Sequence, residues 1–196
     1  MPEASTVRRR RMTAEREAEL YDAVLELLRE VGYDALTMDA VATRTRSSKA
    51  TLYRQWGGKA ALVVKAMRHY KPVDIAEIDT GTLRGDLHTL ARRQDDCSVE
   101  ESTALMRGLA MAMHSDPHLL RAFRELLIEP ELEELDQVLQ RAVARGEVRE
   151  GNPAMGFTLH MMVGAMATRS MIDELPPTQE YLISYIDAVV LPALCA

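Results

Sequence analysis

The sequence predicts an all-α protein of about nine helices in two parts. Three observations carry this expectation. Ala, Leu, Met, Glu and Arg are abundant among the 196 residues, and runs of Val, Ile and Thr are scarce, which favours helix over sheet. Apolar residues recur at steps of three and four along most segments. Charge divides the chain: residues 1–71 hold 14 Lys/Arg against 9 Asp/Glu, and residues 72–196 hold 10 against 21. The net charge of −6 therefore hides a basic N-terminal third, which places attraction for a polyanion at one end.

Residues 1–12 end in Arg8-Arg9-Arg10-Arg11 and read as a flexible basic arm, either a phosphate or minor-groove contact or a solvated tail. Residues 13–58 form the first domain. Thr13 caps its first helix, with Glu15 and Glu17 at the positive end of the dipole. Leu20, Val24, Leu27, Leu28 and Val31 fall on one face, and Gly32 ends it. Thr37 caps a second helix with Met38, Val41 and Ala42 inward. Thr43-Arg44-Thr45-Arg46-Ser47 interrupts the pattern. Ser47 or Ser48 caps a third helix that turns Leu52 and Trp56 inward and stops at Gly57-Gly58. Two helices this short are not stable alone and need the first to cover them.

Residues 59–72 read as a connecting helix, from Lys59 to about Tyr70 with Pro72 as its end. Residues 73–196 read as a second domain. Val73 to Thr82 is irregular and acidic. Leu83, Leu87, Leu90 and Ala91 restart helical spacing, and a further helix opens near Ser102. Asp116-Pro117 opens the next, with Asp116 as cap and Pro117 at the first position. The apolar period continues in register across Pro130 to Gly146, so the spacing predicts one kinked helix there. Asn152-Pro153 opens a helix to about Leu175, with Phe157, Met161, Gly164, Ala165, Thr168 and Ile172 on one face. The last helix carries Leu182, Tyr185, Ile186, Val189 and Val190. Two such helices suit a hairpin that a two-fold axis doubles into a four-helix dimer interface. Phe157, Gly164, Thr168, Ile172, Leu182, Ile186 and Val189 are its candidates. The alternative is packing within one chain.

The stretch Thr37–Lys59 has the form of a helix-turn-helix. In that motif the start of the second helix meets base edges in the major groove. Ser48, Lys49 and Ala50 are thus the candidates for reading sequence: an ammonium donates to guanine, and a methyl meets the thymine methyl. Arg46 and Arg54 add positive charge for phosphates. Thr37 and the amides behind it can hold another phosphate.

At these residues the chain resembles the TetR family of transcriptional regulators. The resemblance rests on VATRTRSSKATLYRQWGGKAALV, on Gly32-Tyr33, Leu36-Thr37-Met38 and Val41-Ala42 before it, and on Trp56, Lys59 and Leu62, over roughly residues 16–65. It implies phosphate contacts for Thr51, Tyr53 and Lys59. Such proteins commonly hold Ala-Gly-Val in the turn where this chain has Thr45-Arg46-Ser47. An arginine where glycine stands costs backbone strain if the turn is left-handed, or adds a phosphate contact.

The resemblance also implies a homodimer on a palindromic double-stranded DNA operator and a small-molecule effector bound among the C-terminal helices. His88, Met106, Met113, Phe123, His160 and Met161 are the candidates for that pocket, methionine being adaptable; ordinary core filling is the alternative for each Met. No metal site is expected, because Asp116-Pro117 separates His114 from His118. No cofactor is implied. Nucleophile elbows, phosphate loops and paired carboxylates are missing from the sequence, which speaks against an enzyme. Cys97 and Cys195 lack metal spacing, and no apolar run approaches the ~18 residues of a membrane span, so the reading is cytoplasmic. Repression by a ligand-released reader is the expected activity. Activation, or a helical interaction protein with a vestigial reader, stays open at this level.

Overall fold

The computed structural model describes residues 13–69, 75–92 and 96–195, and for 96–102 the backbone alone. The basic arm at 1–12, the end expected at Tyr70–Pro72 and the side chain of Cys97 lie outside these residues. Among the described residues all regular structure is helical, in nine helices as the sequence predicts when two that continue through a π-turn, Pro117–Phe123 into Glu129–Ala144 and Gln179–Tyr185 into Leu191–Cys195, are each counted once. The chain forms two compact units, residues 1–69 and 70–196.

In the first unit, α1 (Ala14–Ala35) starts where Thr13 Oγ1 accepts the Arg16 amide at 3.3 Å. Gly32, at φ 74, breaks its regular course, and one more turn follows. The buried face holds Leu20, Val24, Leu27 and Leu28 as expected, and adds Tyr21 and Leu25. Val31 is exposed, because the fold covers this face only as far as Leu28. Next come α2 (Met38–Arg44), α3 (Lys49–Trp56) and α4 (Lys59–His69). Helix α4 is no mere connector. It packs along α1 and buries Leu62, Val63, Val64 and Ala66. Met38, Val41, Leu52 and Trp56 complete the core from α2 and α3.

In the second unit a short 3-10 turn at Ile75–Glu77 precedes α5 (Leu83–Arg92). Helix α6 (Asp96–Ser115) opens before the expected Ser102. The Asp116 carboxylate caps α7 (Pro117–Phe123), accepting the His118 amide at 2.9 Å. Helix α7 runs on through a π-turn, Arg124–Ile128, into α8 (Glu129–Ala144). The widened turn precedes Pro130, whose ring would otherwise meet the carbonyl four residues back. The same device recurs at the C-terminus, where α10 (Gln179–Tyr185) passes through Ile186–Val190 into α11 (Leu191–Cys195), which carries Pro192. So one helix runs on across Pro130 as predicted, a π-turn accommodates the proline, and Leu132 from the predicted apolar face is exposed. At the end of α8 the amides of Gly146 and Glu147 donate to Val143 and Ala142, a Schellman closure with Gly146 at φ 79. A 3-10 turn, Pro153–Phe157, leads into α9 (Thr158–Ile172), which stops short of Leu175.

One core joins α5, α8, α9 and the C-terminal helix, built from Leu83, Leu87, Leu135, Val138, Leu139, Met162, Val190 and Leu194, among others. Ile186 belongs to it with 0% exposure. Its expected place at a dimer surface is therefore corrected: on the broad stripe of the last helix, Ile186 takes the inward side.

Candidate nucleic-acid interface

The helix-turn-helix is held from behind by α1. Trp56, at the end of α3, is buried, and its Nε1–H donates to Tyr21 Oη at 3.0 Å. Tyr21 in turn donates to Glu17 Oε1 at 2.7 Å, and the two rings meet edge-on at 6.2 Å. Burial pushes the Tyr21 phenol up to about 12. This chain fixes the roll of α3 about its own axis and so decides which side chains it presents.

The turn between α2 and α3 is a second Schellman closure. The Arg46 amide donates to Thr43 at 3.3 Å and the Ser47 amide to Ala42 at 2.9 Å. Such a closure needs one left-handed residue, and Arg46 takes that conformation at φ 50. The arginine thus accepts the strain that glycine would avoid, at a cost of about 1–2 kcal/mol. Three contacts hold the turn against it. The Thr45 hydroxyl donates to Val41 O at 2.8 Å. Arg16, from the start of α1, donates to Thr45 O at 2.5 Å. Arg44 is drawn back onto α1 by Glu30 at 2.8 Å and Glu26 at 3.5 Å. Arg46→Gly should therefore raise stability by about 0.5–1 kcal/mol in urea unfolding, the relief of strain less the entropy of glycine.

The cap of α3 falls on Ser48. Its hydroxyl accepts the Thr51 amide at 3.1 Å and lies 2.7 Å from Thr51 Oγ1. Thr37 caps α2 in the same way, accepting the Ala40 amide at 3.1 Å. Arg46, Ser48, Lys49, Ala50, Tyr53 and Arg54 are all exposed around this helix start, and Thr51 is half-buried. They form one continuous polar and cationic surface. Lys49 Nζ is paired with Asp39 Oδ2 at 2.8 Å, a bond that raises the ammonium's pKa above its ordinary value. Lys59, the other lysine of the motif, is also engaged within the chain. Its ammonium donates to Tyr33 O at 2.9 Å and sits 4.0 Å from the centre of the Tyr33 ring, tying the start of α4 to the end of α1.

Sequence reasoning missed Arg16, Asp39 and Tyr21. Glu17 and Tyr21 stand four apart on α1, a spacing that could have revealed their bond. No spacing links Arg16 to Thr45 or Asp39 to Lys49.

The residues expected around a ligand do not converge on one described cavity. A cavity of about 390 Å³ lies in the first unit, lined by Ala14, Glu17, Tyr21, Lys65, Arg68 and His69, and takes in none of them. His88 is bonded to Asp187 at 2.8 Å. Phe123 is buried, Met106 and Met113 are half-buried on α6, and Met161 packs against the core of the second unit. His160 is exposed, with its ring 5.9 Å from that of Phe157. Of the dimer candidates, Phe157, Thr168, Ile172 and Val189 are exposed, and Gly164 and Leu182 are half-buried. Val163 and Met171 on α9, and Leu175 just beyond it, are exposed apolar residues as well.

Two family models match. That of bacterial regulatory proteins, tetR family, covers residues 20–66, and that of the tetracyclin repressor-like C-terminal domain covers residues 77–189. The second alone spans more than half of the chain. The protein belongs to the tetR family. An uncharacterised HTH-type transcriptional regulator of Mycobacterium tuberculosis is 35% identical over 181 residues, which are 91% of this chain and 88% of that one. A DNA-binding transcriptional repressor of Mycobacteroides abscessus is 34% identical over 178 residues, 90% and 92% of the two chains. The crystal structure of a TetR family transcription regulator superposes with a TM-score of 0.70 at 27% identity, covering 93% of this chain and 100% of that one. The chain is thus a DNA-binding transcriptional regulator of the tetR family, a family whose members bind operators and act as dimers. No described helix is long and apolar enough to cross a membrane.

Proposed function

We propose that this tetR-family protein is a cytoplasmic repressor, bound as a homodimer to a palindromic operator and released by a small molecule held in its C-terminal unit. One observation carries the operator reading: Arg46, Ser48, Lys49, Ala50, Tyr53 and Arg54 are exposed together at a helix start that α1 holds in place. In this reading Lys49 and Ala50 meet bases, while Thr37, Arg46, Thr51, Tyr53 and Arg54 set register on phosphates. Repression is supported by the relative of Mycobacteroides abscessus, which is named a repressor. The effector is supported by the match of residues 77–189 to the tetracyclin repressor-like domain. The homodimer is supported by the exposed apolar face of α9.

Deleting the gene is the direct test. Transcripts from promoters that the protein binds should rise, and a fall would make it an activator. On DNA itself, Tyr53→Phe should weaken binding about 3–10-fold on every sequence, as loss of a phosphate contact does. Lys49→Ala should change which sequence is preferred. Equal losses on cognate and scrambled DNA would remove Lys49 from the reading surface.

A further inference from the structure

We propose that Asp39 and Lys49 act as one unit that reads a single G·C base pair in each half-site, Asp39 accepting from the cytosine amino group while Lys49 donates to guanine. The proposal rests on the placement of α3 in the major groove given above and deepens it. Asp39 Oδ2 and Lys49 Nζ are 2.8 Å apart, from the first turns of α2 and α3. Both side chains face solvent, 70% and 49% exposed. Water competes for both groups of so exposed a pair, so little opposes its turning toward DNA.

The chemistry of the pair matches one base pair better than the others. At the major-groove edge of G·C, guanine offers two neighbouring acceptors, N7 and O6, and cytosine offers the N4 donor. O6 and N4 are hydrogen-bonded to each other, about 2.9 Å apart. A donor and an acceptor 2.8 Å apart on the protein therefore meet an acceptor and a donor at the same spacing. Lys49 gains both guanine acceptors, and Asp39 has no acceptor beyond N4 to repel it. At an A·T pair the only donor, adenine N6, lies between two acceptors, N7 and thymine O4. A carboxylate placed on N6 is then repelled from both sides. Asp39 also repels phosphates, so it lowers affinity for DNA in general while adding contact at the correct pair.

Selection from a randomised duplex library tests this with the wild-type chain, Asp39→Asn and Lys49→Gln. Thermal unfolding of the two variants at the wild-type temperature shows that the fold is kept. The wild type should select one G·C pair per half-site, whose replacement by A·T weakens binding ~5–100-fold. In Asp39→Asn that preference should collapse to a few-fold, while other positions of the site stay as they were. Lys49→Gln should relax the same pair. If Asp39→Asn instead tightens binding to all sequences and keeps the G·C preference, Asp39 is only a counter-ion and the proposal falls. A wild-type chain that selects no sequence, with affinity independent of salt, overturns the operator reading itself along with this one.

Discussion

Trp56→Ala should lower the stability of the first unit by about 3–5 kcal/mol, measured by urea unfolding. Two terms add. The indole is buried among α1, α3 and α4, so its removal leaves a cavity. It also removes the hydrogen bond that Trp56 Nε1–H donates to the Tyr21 hydroxyl at 3.0 Å, leaving that hydroxyl only its bond to Glu17. Tyr21→Phe separates the terms. It keeps the ring packing and removes the hydroxyl between Trp56 and Glu17, for a smaller loss of about 1–3 kcal/mol. The same variant carries a pH signature. The folded phenol titrates near 12 against an ordinary 10. A raised folded pKa means that its contribution is whole below pH 10 and is lost as pH rises from 10 through 12. Stability of the wild type should therefore fall more steeply than that of Tyr21→Phe across this window. Parallel curves would show that the Tyr21 proton is not held by the fold.

Ile172→Asp should give a folded monomer that binds the operator roughly 100-fold or more weakly, because the second half-site no longer adds to the first. Ile172 is 75% exposed in the single chain, so the change costs the protomer little. Met171, Val163 and Phe157 are exposed on the same helix and its entry turn. An apolar strip this long on a DNA-binding protein is covered economically by its own copy across a two-fold axis. Sedimentation at micromolar concentration separates monomer from dimer, and anisotropy on operator DNA reads the affinity. An unchanged dimer would move the interface elsewhere. Ile186 is the opposite case. It lies in the protomer core, so Ile186→Asp should unfold the second unit and not merely separate two copies.

Much of this was legible in the sequence. Helix caps at Thr13, Thr37, Ser48 and Asp116 depend on short-range spacing, and each forms the predicted bond. Continuation of the helix across Pro130 was equally local, since one widened turn makes room for the ring. What the sequence hid depends on partners far along the chain. Periodicity places Val31 on the core face, but how far α2 and α4 extend decides its burial. It places Ile186 and Val189 on one stripe, but only packing divides that stripe into a buried and an exposed edge. Lys59 looks like a free cation until Tyr33 is seen beside it. The turn is the instructive case. Arg46 signals strain in the sequence, and the structure supplies what opposes it: Arg16, 29 residues earlier in sequence, bonded to the carbonyl of Thr45.

The proposed role of the surface built on α3 is to bind DNA by neutralising phosphates and by reading bases. It is tested most directly by the affinity for DNA flanking the protein's own coding sequence, measured by fluorescence anisotropy at several salt concentrations beside a scrambled duplex. Log affinity should fall with log salt at a slope of about −3 to −5 on both duplexes, as when a dimer contacts several phosphates, with tighter binding to the flanking DNA throughout. A flat salt dependence, with no difference between the two duplexes, would contradict it.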